Sequence, residues 1–196
     1  MQIDNLKKIT VTNAQEICAL ATAGGFALNS PEGASPAKFL NGLLAAEDLN
    51  QAVQFLSFAL PPREAVWWAC LCAREGLRDP VPPPLQAAIA AAEAWVRKPT
   101  EENRRAAGLS AQATDLKSPV AWAAMAAFWS GGSLAPENLP EVAAPPQLLG
   151  SAVASAVMLA AVTPEAKLAA QKRARYLQAA VDIANGGNGR ISPAAS

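Results

Sequence analysis

Histidine is absent from all 196 residues. Its absence removes the commonest general base, the serine and cysteine hydrolase dyads and most zinc sites. Cysteine is sparse: Cys18, Cys70 and Cys72 cannot all pair internally, and Cys70-Leu71-Cys72 has neither redox Cys-x-x-Cys spacing nor a second cluster to complete a metal site. The three read as reduced, buried side chains. Charge of one sign is not in excess, since 16 Lys and Arg offset 16 Asp and Glu, so nothing attracts phosphate backbones or anionic lipid. Nucleic acid is therefore not expected as a partner. No long hydrophobic run reaches the roughly 20 residues that cross a bilayer: the longest, Leu148 to Val162, is shorter and carries Ser151 and Ser155. It reads as a buried helix, with no membrane insertion. The first residues, Met-Gln-Ile-Asp-Asn-Leu-Lys-Lys, lack the apolar stretch and cleavage site of a secretory leader, which predicts a cytoplasmic protein. No P-loop is present, and Gly186-Gly187-Asn188-Gly189 neither follows a strand nor opens a helix, so no phosphate cradle and no cofactor are expected.

What the chain has is alanine, roughly a quarter of its residues and well above ordinary usage, and alanine is the best helix former. Prolines recur as helix starters at Pro36, Pro61-Pro62, Pro82-Pro83-Pro84, Pro99, Pro119, Pro145-Pro146 and Pro164. Proline suits a first turn, where its missing N–H would be unpaired, and it stops the preceding helix. Ser35, Ser118 and Thr163 stand as N-caps, while Gly76, Gly131 and Gly186 stand as stops. These signals predict helices near 13–22, 36–45, 47–60, 62–75, 84–98, 100–114, 119–130, 146–162 and 164–184, with no strand. The fold class is all-α: a compact bundle or short stack of antiparallel helical hairpins, about eight or nine helices. Residues 1–185 form one domain and 186–196 a flexible tail. Segment 119–130 carries no charge, which places it in the middle of the fold.

The densest stretch is Leu60 to Glu75, with two of the five tryptophans, two of the three cysteines and the charges Arg63, Glu64, Arg74 and Glu75. At 100° per residue, Ala65, Val66, Trp68, Ala69, Cys70, Cys72 and Ala73 sweep out a wide apolar arc. Arg63, Glu64, Trp67, Leu71, Arg74 and Glu75 share the remaining sector. Trp68 is therefore core. Trp67, with Arg63 one turn before it and Arg74 two turns after it, has the residue types that dominate binding hot spots. Arg63, Glu64, Trp67 and Arg74, with the 131–146 loop beside them, form the candidate protein-binding surface. The alternative is that this sector faces a neighbouring helix. A second, weaker basic stripe is Lys167, Lys172, Arg173 and Arg175 around Tyr176, although charges on a terminal helix are usually a solvated face. The carboxylate pairs Glu47-Asp48 and Glu101-Glu102 open helices, where they complement the dipole.

The run from Ala52 to Cys70, with Pro61-Pro62-Arg63-Glu64-Ala65-Val66-Trp67-Trp68 at its centre, resembles the signature of a small, uncharacterised, alanine-rich bacterial family. That resemblance implies an association with secretion and forkhead-associated signalling loci, hence an adaptor or accessory role. Ala92-Glu93-Ala94-Trp95-Val96-Arg97 followed by Thr100 to Ala107 is similar to helical hairpins of some toxin-immunity proteins. Three functions are thus expected in order. The first is a non-enzymatic protein-binding module of a secretion system, working on another protein, with a homo-oligomer also compatible. The second is an immunity protein that neutralises a cognate toxin, through an acidic surface if the toxin is a basic nuclease. The third is a carboxylate-dependent enzyme, which requires Glu64 and another carboxylate to converge in a cleft.

Overall fold

Five polar side chains start helices as hydrogen-bond acceptors. The structure, a computed structural model, describes residues 3–136 and 138–191. Among them, nine α-helices follow one another: α1 (Ala14–Ala23), α2 (Pro36–Ala45), α3 (Leu49–Ala59), α4 (Pro62–Glu75), α5 (Pro83–Arg97), α6 (Glu101–Gln112), α7 (Pro119–Phe128), α8 (Gln147–Val162) and α9 (Ala169–Ala184), with a 3-10 turn, Ala166–Leu168, leading into the last. The side chains of Asn13, Ser35, Asp48, Thr100 and Ser118 accept hydrogen bonds from backbone N–H groups of the first turns of α1, α2, α3, α6 and α7. Proline opens α2, α4, α5 and α7. The protein is all-α; the only β pairing among the described residues is an isolated bridge between Ser133 and Ala143.

Three local expectations need correction. Thr163 does not cap a helix beginning at 164: its carbonyl accepts from the Lys172 ammonium at 2.5 Å, and α9 starts only at Ala169. Glu47 lies outside α3 with φ 56°, a left-handed conformation, and Asp48 alone caps that helix. Gly76 does cap α4, whereas Trp129 and Asn185 hold the cap positions of α7 and α9, with Gly131 and Gly186 just beyond.

The uncharged α7 is buried everywhere except Trp122 and Phe128, and it packs against α4, α5, α6 and α8. It shares the centre with α4 and with α8, which touches α1, α3, α4, α7 and α9. Small residues set how near these helices come. A Cβ on Gly150 of α8 would lie 2.3 Å from the Phe58 ring of α3, and one on Gly108 of α6 would lie 2.7 Å from Phe128. Interiors are close-packed, so neither site has spare volume. Trp68 and Tyr176 are fully buried, and the Trp68 indole N–H donates to the Tyr176 carbonyl at 2.9 Å, tying α4 to α9. Among the described residues no single helix is long and apolar enough to cross a membrane.

The joint between α7 and α8 is held by a residue with no distinguishing sequence signal. Arg104 is only 3% exposed, so its charge must be compensated. Its guanidinium pairs with Glu101, donates to the Phe128 carbonyl at 2.5 Å and the Ser133 carbonyl at 2.7 Å, and lies 4.8 Å from the centre of the Phe128 ring. Arg105 adds a donation to the Ala135 carbonyl at 3.0 Å. Within the joint, Leu134 N–H donates to the Val142 carbonyl at 2.8 Å. The described part of the joint is therefore ordered and lies on α6.

Arg104→Ala should lower unfolding free energy by about 3 kcal/mol in urea, because it leaves the Phe128 and Ser133 carbonyls without their donor and the Glu101 carboxylate with Arg105 alone. A loss below about 1 kcal/mol would contradict this account. The Arg104 hydrogen bond holds the Glu101 carboxyl below its usual range, opposed by desolvation and helped by the charges of Arg104 and Arg105. Below about pH 4 the unfolded chain therefore takes up this proton before the folded chain does, and stability falls as pH drops. Glu101→Gln should be less stable than wild type at neutral pH and flatter on the acid limb of a stability-versus-pH curve.

Candidate functional site

The helical wheel of α4 divides as its residue pattern requires. Ala65, Val66, Trp68, Ala69, Cys70, Cys72 and Ala73 are buried, whereas Arg63 and Arg74 are exposed and Glu64, Trp67 and Leu71 half-buried. Burial pushes the Cys70 and Cys72 thiols up, with nearby Glu93 and Glu75 respectively adding to the effect. Neither is therefore a thiolate nucleophile at neutral pH. The chemistry of α4 lies on its other face.

There the first turns of α4, the end of α5 and the end of α9 enclose a cleft of about 340 Å³. Arg63, Glu64 and Trp67 line it from α4, Val96 and Arg97 from α5, and Ile183 from α9. Two flanking segments complete it. The N-terminal stretch is anchored by Lys8 N–H donating to the Ala184 carbonyl at 2.8 Å, and it contributes the Lys8 ammonium, which pairs with Glu64 at 2.5 Å. The segment after α9 contributes Gly187 and Asn188. The Asn188 carbonyl accepts the Trp67 indole N–H at 2.8 Å, and Gly189 N–H donates to the Asp182 carboxylate at 2.8 Å.

Residues 186–191 thus form a strap across α4 rather than a free tail; the expected tail residues 192–196 lie outside the described residues. Tight turns make this route possible: Gly186 and Gly189 take positive φ of 96° and 69°. A Cβ on Gly189 would also come within 2.4 Å of Ile183. Ile191 packs against the core at the far end.

The four candidate residues separate. Arg63, Glu64 and Trp67 come together, but Arg74 does not join them: it forms an ion pair with Glu93 on α5, and that hydrogen bond raises its pKa. Arg63 does not lie over Trp67 either. Its Nε donates to the Val96 carbonyl at 2.7 Å, capping one of the orphan carbonyls at the end of α5. The 131–146 loop is not beside this surface, because Arg104 and Arg105 hold it on α6.

The basic stripe around Tyr176 is consumed internally only in part, since Arg173 is half-buried with its Nε unpartnered among the described residues. Arg175 pairs with Glu75, Lys172 is buried against the Thr163 carbonyl, and Tyr176 is core. Burial lowers the Lys172 pKa, with the Arg78 charge adding to the effect. Lys167 is exposed beside Glu165.

Sequence reasoning missed Lys8 and Arg97. No periodicity links Lys8 to α4, and Arg97 looked like one more charge at a helix end. Among the described residues Arg97 is exposed and makes no ion pair or hydrogen bond through its side chain. Glu64 is the cleft's sole carboxylate, and among the described residues no three His, Cys, Asp or Glu side chains are grouped to hold a metal ion. A different apolar patch lies on α6 and its loop, where Leu109, Leu139 and Val142 are more than half exposed.

Trp67→Phe keeps an aromatic ring, smaller than indole, and deletes the donor to the Asn188 carbonyl. It should cost about 1 kcal/mol and speed hydrogen exchange at the Gly187 and Gly189 amides, leaving core amides unchanged. Unaltered exchange at those glycines would show that the strap does not depend on Trp67.

Comparison with curated proteins and with solved structures gives no match. A family model matches residues 39–184, which include the α4, α5 and α9 walls of the cleft, while Lys8, Gly187 and Asn188 flank the matched stretch. The chain belongs to this family, the family of unknown function DUF6931.

Proposed function

We propose that this protein is a non-enzymatic protein-binding module of the bacterial cytoplasm, an adaptor or accessory factor of a secretion system, that takes its partner at the Trp67 cleft. The observation that carries this proposal is the composition of that cleft. A half-buried tryptophan, backed by the buried side chains of Val96 and Ile183, is flanked by Lys8, Arg63 and Arg97. Tryptophan and arginine around a desolvated centre are the usual anchors of protein recognition. The secretion setting comes from the sequence resemblance around Pro61 to Trp68.

The same composition ranks the other two functions lower. A nuclease-neutralising immunity protein would present acidic groups to a basic enzyme, whereas three cations to one carboxylate line this cleft. A carboxylate-dependent enzyme would need a second carboxylate beside Glu64, and the cleft lining supplies none.

The test is affinity capture from the native organism with wild type, Trp67→Ala and Leu109→Ser, each checked for folding by circular dichroism. The expected outcome is a defined protein partner, recovered with wild type and Leu109→Ser and reduced at least tenfold with Trp67→Ala. Full recovery with a folded Trp67→Ala variant would overturn the assignment of the site. Detectable turnover that depends on Glu64 would overturn the non-enzymatic assignment.

A further inference from the structure

We propose that the Trp67 cleft recognises an acidic segment of the partner, with carboxylates held by Arg97 and Arg63 and an adjacent apolar side chain set against Trp67. This rests on the protein-binding role proposed above and specifies its chemistry.

Charge complementarity carries the proposal. The chain as a whole is neutral, yet the cleft lining has three cations and one carboxylate. That carboxylate, Glu64, is already matched by Lys8 at 2.5 Å. The excess positive charge therefore belongs to Arg63 and Arg97. Arg63 is preorganised: its Nε is fixed on the Val96 carbonyl, and among the described residues its two terminal amino groups have no partner. A guanidinium oriented in this way can accept a carboxylate end-on with little further loss of side-chain freedom. The Val96 carbonyl that Arg63 covers immediately precedes Arg97, and both arginines line the cleft. Carbonyls at a helix C-terminus repel an anion, and Arg63 neutralises the one that faces the cleft.

The remaining surface selects what accompanies the charge. Because the Trp67 indole N–H is already donated to Asn188, the ring brings apolar area and no unsatisfied donor. Val96 and Ile183 lie behind it, 8% and 1% exposed, so the apolar area on offer is that of the half-buried Trp67 ring. About 340 Å³ is near the lower limit for ligand sites and suits a few side chains of a peptide. A nucleic acid fits less well, since three cations give a small electrostatic footprint and the rest of the neutral chain adds no excess charge.

The experiment uses the full chain labelled with nitrogen-15 and two capped hexapeptides, acidic AELDEA and its neutral counterpart AQLNQA, with a thymidine hexanucleotide as a third probe. The Trp67 indole signal is assigned from its loss in Trp67→Phe. The expected result is a saturable shift of that signal with AELDEA, at least tenfold weaker binding of AQLNQA, and further weakening as salt rises from 50 to 500 mM. Arg97→Glu, at an exposed position without a partner, should stay folded and weaken AELDEA at least tenfold. Equal binding of both peptides, an unaffected Arg97→Glu variant, tighter binding of the oligonucleotide, or no peptide binding would overturn the acidic-segment proposal. The protein-binding role would still stand if capture of the native partner depended on Trp67 but not on Arg97. It would fall together with this proposal if capture depended on neither.

Discussion

The hydrogen bond from the Trp68 indole to the Tyr176 carbonyl fixes α4 against α9 at a point where water does not reach, since both residues are fully buried. An indole N–H without a partner there would cost about 1–3 kcal/mol, so the relative placement of the two helices is strongly constrained. The rest of the cleft follows from that placement. With Trp68 turned into the core, the next residue back, Trp67, must lie about 100° away on the helix surface. With α9 docked on α4, the chain leaving α9 passes over Trp67, and its Asn188 carbonyl meets the indole N–H. The same docking brings Ala184 beside the N-terminal stretch, whose Lys8 then reaches Glu64.

Several charges in this neutral chain hold elements together. Arg74 joins α4 to α5 through Glu93, Arg175 joins α9 to α4 through Glu75, and Arg104 fastens the joint after α7 to α6. Exposed pairs of this kind contribute little to stability individually, whereas the buried Arg104 cluster is costly to break. Arg97, by contrast, has no partner among the described residues. It lines, with Arg63 and Trp67, the cleft that the flanking segments complete. The half-buried Trp67 ring gives the free ends of the two guanidinium groups a setting in which a carboxylate would be held more strongly than in open water.

The helices were legible because proline and cap chemistry is local. Pro36, Pro62 and Pro119 start helices as their rigid φ requires, and α4 runs from 62 to 75 in both the sequence pattern and the structure. The two faces of α4 were legible for a similar reason, since the apolar arc is too wide to be left in solvent. Tertiary choices were not legible. Arg74 sits in the same sector of the wheel as Arg63, but only the position of α5 decides that Glu93 takes it. Residues 186–191 look unstructured by composition because three glycines and one asparagine have no periodic pattern. Their order comes from Asp182, Trp67 and Ile183, which no local signal connects to them. Arg104 was hidden in the same way: its partners lie 24 and 29 residues ahead in the chain.

Two surfaces are open to the proposed partner: the Trp67 cleft, and the exposed apolar patch of Leu109 on α6 with Leu139 and Val142 on the joint between α7 and α8. Site-specific photocrosslinking in the native cell separates them most directly, with benzoylphenylalanine placed at Asn188 in one strain and at Leu109 in another. Replacing the Asn188 side chain leaves its backbone carbonyl available to Trp67. The account predicts a discrete crosslinked protein from position 188 and none from position 109. A crosslink from 109 with none from 188 would contradict it.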